Sequence, residues 1–300
     1  MPHNCGSNKV APTAMKKPMR YPADQAALDA LFSNRARWPN FDEHFARWQK
    51  AGREALRAPG WSLDVPYGPG PRQVLDLIRP VAKTARRAPL FAFIHGGYWQ
   101  SLEKGDVRGP GPAFAAQGIA YATLDYALCP NVMVGAIVDQ MRAAIKFLWR
   151  EAPRFGCDPD RIYVGGHSAG GQLAAMLASD PTLGVPIKGY FSVSGVYDLA
   201  PIQRSYLQAV LRLTDREVAT LSPLKLKPNP GTNLWLTVGG DELGGFVGQQ
   251  ADFAQQWRKA GAKIVEVPAP GLGHFDIVDQ IGNFRHPIGK AALAMIGQSA

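Results

Sequence analysis

The residues best placed for chemistry in this 300-residue chain are a serine framed by glycines, Gly166-His167-Ser168-Ala169-Gly170. Apolar Ile162-Tyr163-Val164 precedes it, and Gln172-Leu173-Ala174-Ala175-Met176-Leu177-Ala178 follows. The pattern predicts a buried strand, a sharp turn and a helix, with Ser168 at the apex as nucleophile. So tight a turn needs neighbours without bulk, which Gly166 and Gly170 supply. It also leaves the backbone N–H of Ala169 at a helix start, where it can face an oxyanion.

A serine hydroxyl is a weak nucleophile near neutral pH. It needs a base to take its proton and an acid to orient that base. On a strand–turn–helix serine of this kind the order along the chain is Ser, Asp/Glu, His. Two later strand ends fit that order. Val238-Gly239-Gly240-Asp241-Glu242 follows one strand, and Pro270-Gly271-Leu272-Gly273-His274-Phe275-Asp276 follows another. The expected triad is Ser168, Asp241 and His274, with Glu242 and Asp276 as substitute acids. A helix N-cap at Asp241 and an exposed loop histidine at His274 are the alternatives.

His95-Gly96-Gly97-Tyr98-Trp99 closes another apolar strand, and its glycines let backbone N–H groups turn toward a pocket. The expected oxyanion donors are Gly97 and Tyr98 together with Ala169. His95 is expected to hold this loop, and His167 to point away from the site. Tyr98, Trp99, Tyr126, Phe246 and Phe275 sit beside these motifs and are the expected aromatic pocket.

The elements that must position these groups alternate in type. Strand patterns fall at residues 61–66, 73–79, 90–95, 119–126, 161–167, 189–194, 234–238 and 263–267, with Asp158-Pro159-Asp160 as the turn into the fifth. Helical spacing appears over 24–57 with a break at Trp38-Pro39, over 109–117, over 134–151, over 249–260 and from Pro287. Tyr67-Gly68-Pro69-Gly70-Pro71 makes the first two strands an antiparallel hairpin. The rest read as a mostly parallel, doubly wound α/β sheet of eight strands. Residues 24–57, with Phe41, Phe45 and Trp48 in helical register, read equally as a lid or as an edge-packing helix. Residues 195–232 are less regular and read as a small cap insertion, with a helix near Tyr206 to Leu213 and another capped by Asp215.

Composition narrows the class. Residues 1–20 carry Lys9, Lys16, Lys17 and Arg20 without an apolar segment, which predicts a disordered basic arm before one domain over 21–300. That arm carries part of the net charge of +9, and beyond it only Lys83, Arg86 and Arg87 cluster, so nucleic-acid binding is not expected. No apolar run of about 18 residues is present, so no membrane span is expected. Cys5, Cys129 and Cys157 fit no zinc spacing and read as free thiols in a reducing cytoplasm. Neither a metal nor a cofactor is expected. The expected partner is a small ester or amide substrate, with a homodimer left open.

The strings His95-Gly96-Gly97-Tyr98-Trp99-Gln100, Gly166-His167-Ser168-Ala169-Gly170, Ser194-Gly195-Val196-Tyr197-Asp198-Leu199 and His274-Phe275-Asp276 resemble the kynurenine formamidase (arylformamidase) branch of the α/β-hydrolases, close to the hormone-sensitive-lipase-like esterases. The resemblance runs from about Ala27 to the last helix. It implies an α/β-hydrolase fold and hydrolysis of N-formyl-L-kynurenine or of small aryl esters and amides by Ser168, Asp241 and His274, without a cofactor. The chain departs from that branch at Gln172, where members often carry histidine. A general carboxylesterase, an acyltransferase using the same acyl-enzyme and a ligand-binding protein on a hydrolase scaffold are the rival readings.

Overall fold

The computed structural model describes residues 18–80 and 86–297. Lys83 and the expected arm up to residue 17 lie outside the described residues. Within the described residues, Met19, which falls in the expected arm, donates its amide to Asp252 Oδ2 at 2.7 Å.

In chain order the elements are α1 (Gln25–Ala30), α2 (Asn34–Arg37), α3 (Phe41–Ala55), β1 (Trp61–Pro66), β2 (Val74–Ile78), β3 (Ala88–Ile94), α4 (Gly111–Ala116), β4 (Ala120–Leu124), α5 (Val134–Glu151), β5 (Cys157–His167), α6 (Ala169–Ala178) and β6 (Ile187–Val193). Then follow α7 (Ala200–Arg204), α8 (Gln208–Leu211), α9 (Asp215–Thr220), β7 (Asn233–Thr237), α10 (Gly244–Lys259), β8 (Lys263–Glu266) and α11 (Pro287–Ile296). The eight strands form one sheet in the order β1-β2-β4-β3-β5-β6-β7-β8. β1 with β2 and β2 with β4 are antiparallel, and every later pairing is parallel. This is the architecture expected of an α/β-hydrolase.

The strands with continuous apolar runs are the central ones. Leu90 to Ile94 on β3 are fully buried, because helices cover both faces of the sheet. On one face Ile137, Met141, Leu173, Leu177 and Phe253 join α5, α6 and α10 to the strands. On the other, Trp48, Phe114 and Leu293 join α3, α4 and α11. No described helix is long and apolar enough to cross a membrane.

Several local expectations change. β5 already begins at Cys157, which pairs with Ala88, so 158–160 lie within the strand rather than in a turn before it. The helix expected near 206–213 is the single short turn α8, Gln208–Leu211, and a further short helix the sequence did not show, α7, precedes it across the extended Ser205. α10 begins at Gly244 rather than near 249, with Gly245 packed against the ring of Phe32. The cap of α9 is Thr214, not Asp215. Thr214 Oγ1 accepts from the Glu217 amide at 3.2 Å, and Glu217 Oε2 accepts from the Thr214 amide at 3.1 Å, a reciprocal capping box.

Thr214→Ala is therefore expected to lower the unfolding free energy by about 1 kcal/mol. Asp215→Ala should cost less than half of that. Urea unfolding of both variants checks the order, and a larger loss at Asp215 would reverse the cap assignment.

Candidate active site

Ser168 stands where β5 ends and α6 begins, with φ 56° and ψ −115°. A non-glycine residue there is strained by about 1–3 kcal/mol and persists only where its surroundings dictate the turn. They do so here. The Ser168 amide donates to Val193 O at 2.8 Å. A Cβ on Gly166 would lie 2.2 Å from Gly170 O, and one on Gly170 would lie 2.1 Å from Ile94 O. Only glycine at both positions lets the turn close.

His274 lies on the loop after β8 and is 2% exposed. Its Nδ1 is 2.6 Å from Glu242 Oε2. Glu242 Oε1 accepts from the Gly239 amide at 2.8 Å and from the Ser194 hydroxyl. The carboxylate is buried with both oxygens occupied, which is how a buried charge becomes tolerable. The acid expected at Asp241 is thus corrected to Glu242. Asp241 is exposed, and it is its amide that is engaged, donating to Leu272 O at 3.1 Å. The other substitute acid, Asp276, faces away toward His44 at 3.6 Å.

The second expected histidine is closer to the site than the sequence suggested. His167 lines the same cavity as Ser168 and His274, and its Nε2 is 2.9 Å from His274 O. Burial first, and then the neighbouring His274, hold its pKa well below the ordinary histidine value. His167 is a neutral ring donating Nε2–H to the His274 carbonyl, which fixes the loop that carries the base.

The loop after β3 holds Gly97, Tyr98 and Trp99 at φ 95°, 47° and 58°. Among the described residues the N–H groups of Gly97 and Tyr98 donate to no backbone carbonyl. Both therefore stay free for an incoming oxygen beside Ala169, the first residue of α6. Side chains brace this conformation. The Tyr126 hydroxyl donates to His95 O at 3.0 Å, and the rings of His95 and Tyr126 stack with centroids 4.1 Å apart. The indole of Trp99 donates to Gln172 Oε1 at 3.2 Å, and Tyr98 Oη donates to Phe32 O at 2.7 Å. His95 Nε2 is 3.3 Å from Asp125 Oδ1, which also meets Arg72 at 2.6 Å. Burial alone would raise the Asp125 carboxyl. His95 and Arg72 outweigh it and bring its pKa below the ordinary carboxylate value.

These loops surround a cavity of about 110 Å³. Of the five aromatics expected in the pocket, Tyr98 and Phe275 line it. Trp99 and Tyr126 are turned beneath the oxyanion loop, and Phe246 packs on the back of the His274 ring at 4.4 Å. The roof comes from residues that the sequence left undecided or unnamed: Asn34 and Arg35 on α2, Phe45 and Trp48 on α3, and Tyr206 from the 195–232 insertion. The aromatic stripe of α3 was the available signal. Trp48 fulfils both of its readings, since it lines the cavity and packs in the core.

Such a site can carry out acyl transfer. It offers a hydroxyl nucleophile, an imidazole oriented by a carboxylate and two or three amide donors for a developing oxyanion. Comparison with known proteins points the same way. A family model described as BD-FAE matches residues 75–195. The kynurenine formamidase of Danio rerio is 30% identical over 262 residues, covering 83% of this chain and 87% of the relative. That of Salmo salar is 29% identical over 261 residues, with the same shares covered. Among solved structures, a putative thioesterase from a Silicibacter species superposes with TM-score 0.78 at 25% identity, covering 90% of this chain and 98% of its own. Esterase B from Lactobacillus Rhamnosis shares the fold, with TM-score 0.69 at 20% identity over 91% of this chain and 97% of its own.

Two outcomes follow from the geometry. Glu242→Gln should lower kcat on an activated aryl ester by about 10²–10⁴, because the amide no longer fixes the working tautomer of His274. Asp241→Asn should stay within about twofold of wild type, and the reverse order in steady-state assays would restore Asp241 as the acid. Arg72→Met should lower stability by about 2 kcal/mol at neutral pH, since Asp125 loses a charged donor. A carboxyl with a lowered folded pKa stabilises above its unfolded value and loses that contribution as pH falls through the folded one. The gap between Arg72→Met and wild type should therefore narrow below about pH 4, leaving the part that comes from the bonds of Arg72 to Tyr126 O and Leu102 O, as chemical denaturation across pH 3–7 would show.

Proposed function

Because the chain belongs to the kynurenine formamidase family of α/β-hydrolases, a hydrolase of esterase and formamidase type, we propose that it cleaves small N-formyl aryl amides and short-chain aryl esters through an acyl-enzyme on Ser168. The observation that carries this reading is the buried contact of 2.6 Å between His274 Nδ1 and Glu242 Oε2, in a cavity that Ser168 and His274 both line.

In this mechanism Ser168 Oγ attacks the acyl carbon while its proton passes to His274 Nε2. The carbonyl oxygen becomes an oxyanion held by the amides of Gly97, Tyr98 and Ala169, each worth about 3 kcal/mol of the barrier. Glu242 stabilises the imidazolium and keeps its other ring nitrogen toward the serine. As the tetrahedral intermediate collapses, His274 returns the proton to the leaving oxygen or nitrogen. An anilide nitrogen leaves poorly unless protonated, so this donation matters more for an amide than for an aryl ester. Water, deprotonated by His274, then attacks the acyl-serine. The acid is released, and the proton goes back to Ser168.

Cavity size supports a short acyl group. About 110 Å³ is less than the roughly 150 Å³ that holds one benzene, so the cavity encloses the acyl group and the aryl leaving group lies partly outside it.

Along formyl, acetyl and butyryl esters of one phenol, kcat/KM should fall steeply, by at least about 100-fold overall, as added methylenes lose their room. A flat series would make the protein a general carboxylesterase instead. Ser168→Ala should lower kcat on the order of 10⁶-fold. Near-wild-type turnover by that variant, or failure of the folded wild type to react with a fluorophosphonate, would remove the acyl-enzyme.

A further inference from the structure

His167 has two ring nitrogens, and only one of them is engaged. Nε2 is 2.9 Å from the carbonyl oxygen of His274, which can only accept, so Nε2 carries the proton. Burial first, and then His274, keep the ring neutral. Nδ1 is therefore a bare lone pair, an acceptor and not a donor.

That lone pair borders the reacting groups. His167 is 3% exposed, and it lines the catalytic cavity with Ser168 and His274. Among the described residues Nδ1 makes no hydrogen bond, yet it is not sealed in the interior as the unpaired Asn34 Oδ1 of the same lining is. A Cβ on Gly96 would lie 3.0 Å from His167 Nδ1 and 3.1 Å from Ser168 Cβ, so the acceptor and the nucleophile are neighbours on one wall. The ring centroids of His167 and His274 are 4.6 Å apart. Apart from the reacting pair itself, Nδ1 is the one buried side-chain acceptor of this lining that is both unpaired and open to an incoming molecule.

We infer that His167 Nδ1 accepts the N–H of the scissile amide and so selects amides that carry a hydrogen on nitrogen, a role that rests on the acyl-enzyme reading above. As Ser168 Oγ bonds to the formyl carbon, the amide nitrogen becomes pyramidal and its lone pair is released from the carbonyl. That lone pair takes the proton from His274 Nε2, the C–N bond breaks, and the aryl amine leaves. The original hydrogen stays on nitrogen throughout, but it must turn aside while the lone pair swings toward His274. An acceptor beside Ser168 and the His274 ring holds it in the turned position, and His167 itself neither gains nor loses a proton. The bond is thus strongest in the transition state, where it lowers the barrier. An ester oxygen has no hydrogen to offer and gains nothing from it.

The test compares formanilide with phenyl formate as substrates of wild type, His167→Gln and His167→Asn, with circular dichroism as the check on folding. Both substrates give the same formyl-Ser168, so deacylation cancels and kcat/KM reads acylation alone. Glutamine can place its Nε2 where the imidazole had its own, which keeps the bond to His274 O and leaves no acceptor at the δ position. Any loosening of the base loop slows both substrates and drops out of their ratio. In His167→Gln the ratio of kcat/KM for formanilide to that for phenyl formate should fall at least about 100-fold, because a site built around a substrate N–H has lost its partner. His167→Asn returns an acceptor near the δ position and should recover most of the ratio, although both rates fall with the lost bond to His274 O. Wild type supplies a third arm: N-methylformanilide, which has no N–H, should be cleaved at least about 100-fold more slowly than formanilide. An unchanged ratio in His167→Gln, or N-methylformanilide cleaved as fast as formanilide, would overturn the assignment. A fall in kcat for both substrates at constant kcat/KM would overturn it too, and would give Nδ1 to the water of deacylation. If the variants do not fold, the N-methylformanilide arm decides alone. Fluorophosphonate labelling separates the two readings. Labelled wild type with an unchanged ratio in His167→Gln removes only the role of Nδ1, whereas folded wild type that does not label removes the acyl-enzyme itself.

Discussion

A carboxylate buried against an imidazole is the constraint on which the rest of this molecule depends. Glu242 would be intolerable in the interior unless each of its oxygens were occupied. Three strand ends meet that demand: Ser194 after β6, the Gly239 amide after β7 and His274 after β8. The acid turn is laced to the base loop by further backbone bonds, from Gly240 N to Ala269 O at 2.9 Å and from Asp241 N to Leu272 O at 3.1 Å. Moving any of these loops would leave a charge unpaired. The catalytic geometry and the local stability therefore rest on the same few hydrogen bonds, and a parallel sheet supplies them because it gathers its strand ends on one edge.

The oxyanion loop shows the converse arrangement, in which donors must be kept free. Three successive residues at positive φ would collapse into ordinary turns without an external brace. The brace is aromatic and layered. Tyr126 and His95 lie stacked beneath the loop, Trp99 is pinned to Gln172, and Tyr98 reaches up to the carbonyl of Phe32. Gln172 in turn donates to Leu221 O at 2.9 Å, which ties the loop through α6 to the cap insertion. Glutamine at this position, where the sequence resemblance implied histidine, accepts from an indole and donates to a carbonyl at once. The departure is compatible with a working loop.

Much of this was legible in the sequence because it follows from periodicity and from glycine. Eight strands and the long helices α3, α5 and α11 were readable from apolar spacing, and the elbow from two glycines that no other residue can replace. The acid was not legible to the residue. Asp241 and Glu242 are adjacent, and the choice between them depends on which way the Gly239-Gly240 turn rolls. That roll is set by contacts with Leu272 and Ala269, some thirty residues away. The aromatics failed for a related reason. Trp99, Tyr126 and Phe246 neighbour the motifs in sequence, yet each is turned under a loop to support it. A ring beside a catalytic motif is as useful for holding a backbone as for touching a substrate.

The roof follows from the same economy of parts. α2 and α3 precede the first strand, yet they return over the edge where the strand ends gather. Trp48 is the residue that fixes them there. Its indole donates to Asp279, and its ring packs on Phe275 with centroids 6.0 Å apart and on His167 at 6.4 Å. Both of those neighbours touch the ring of His274. One side chain thus bears on the core and on the catalytic cavity. A roof built this way is part of the packed interior, and any opening must move a buried tryptophan against the histidine loop. Burying so large a ring is worth about 2–3 kcal/mol or more, so α3 is held over the catalytic cavity rather than free to swing clear of Ser168.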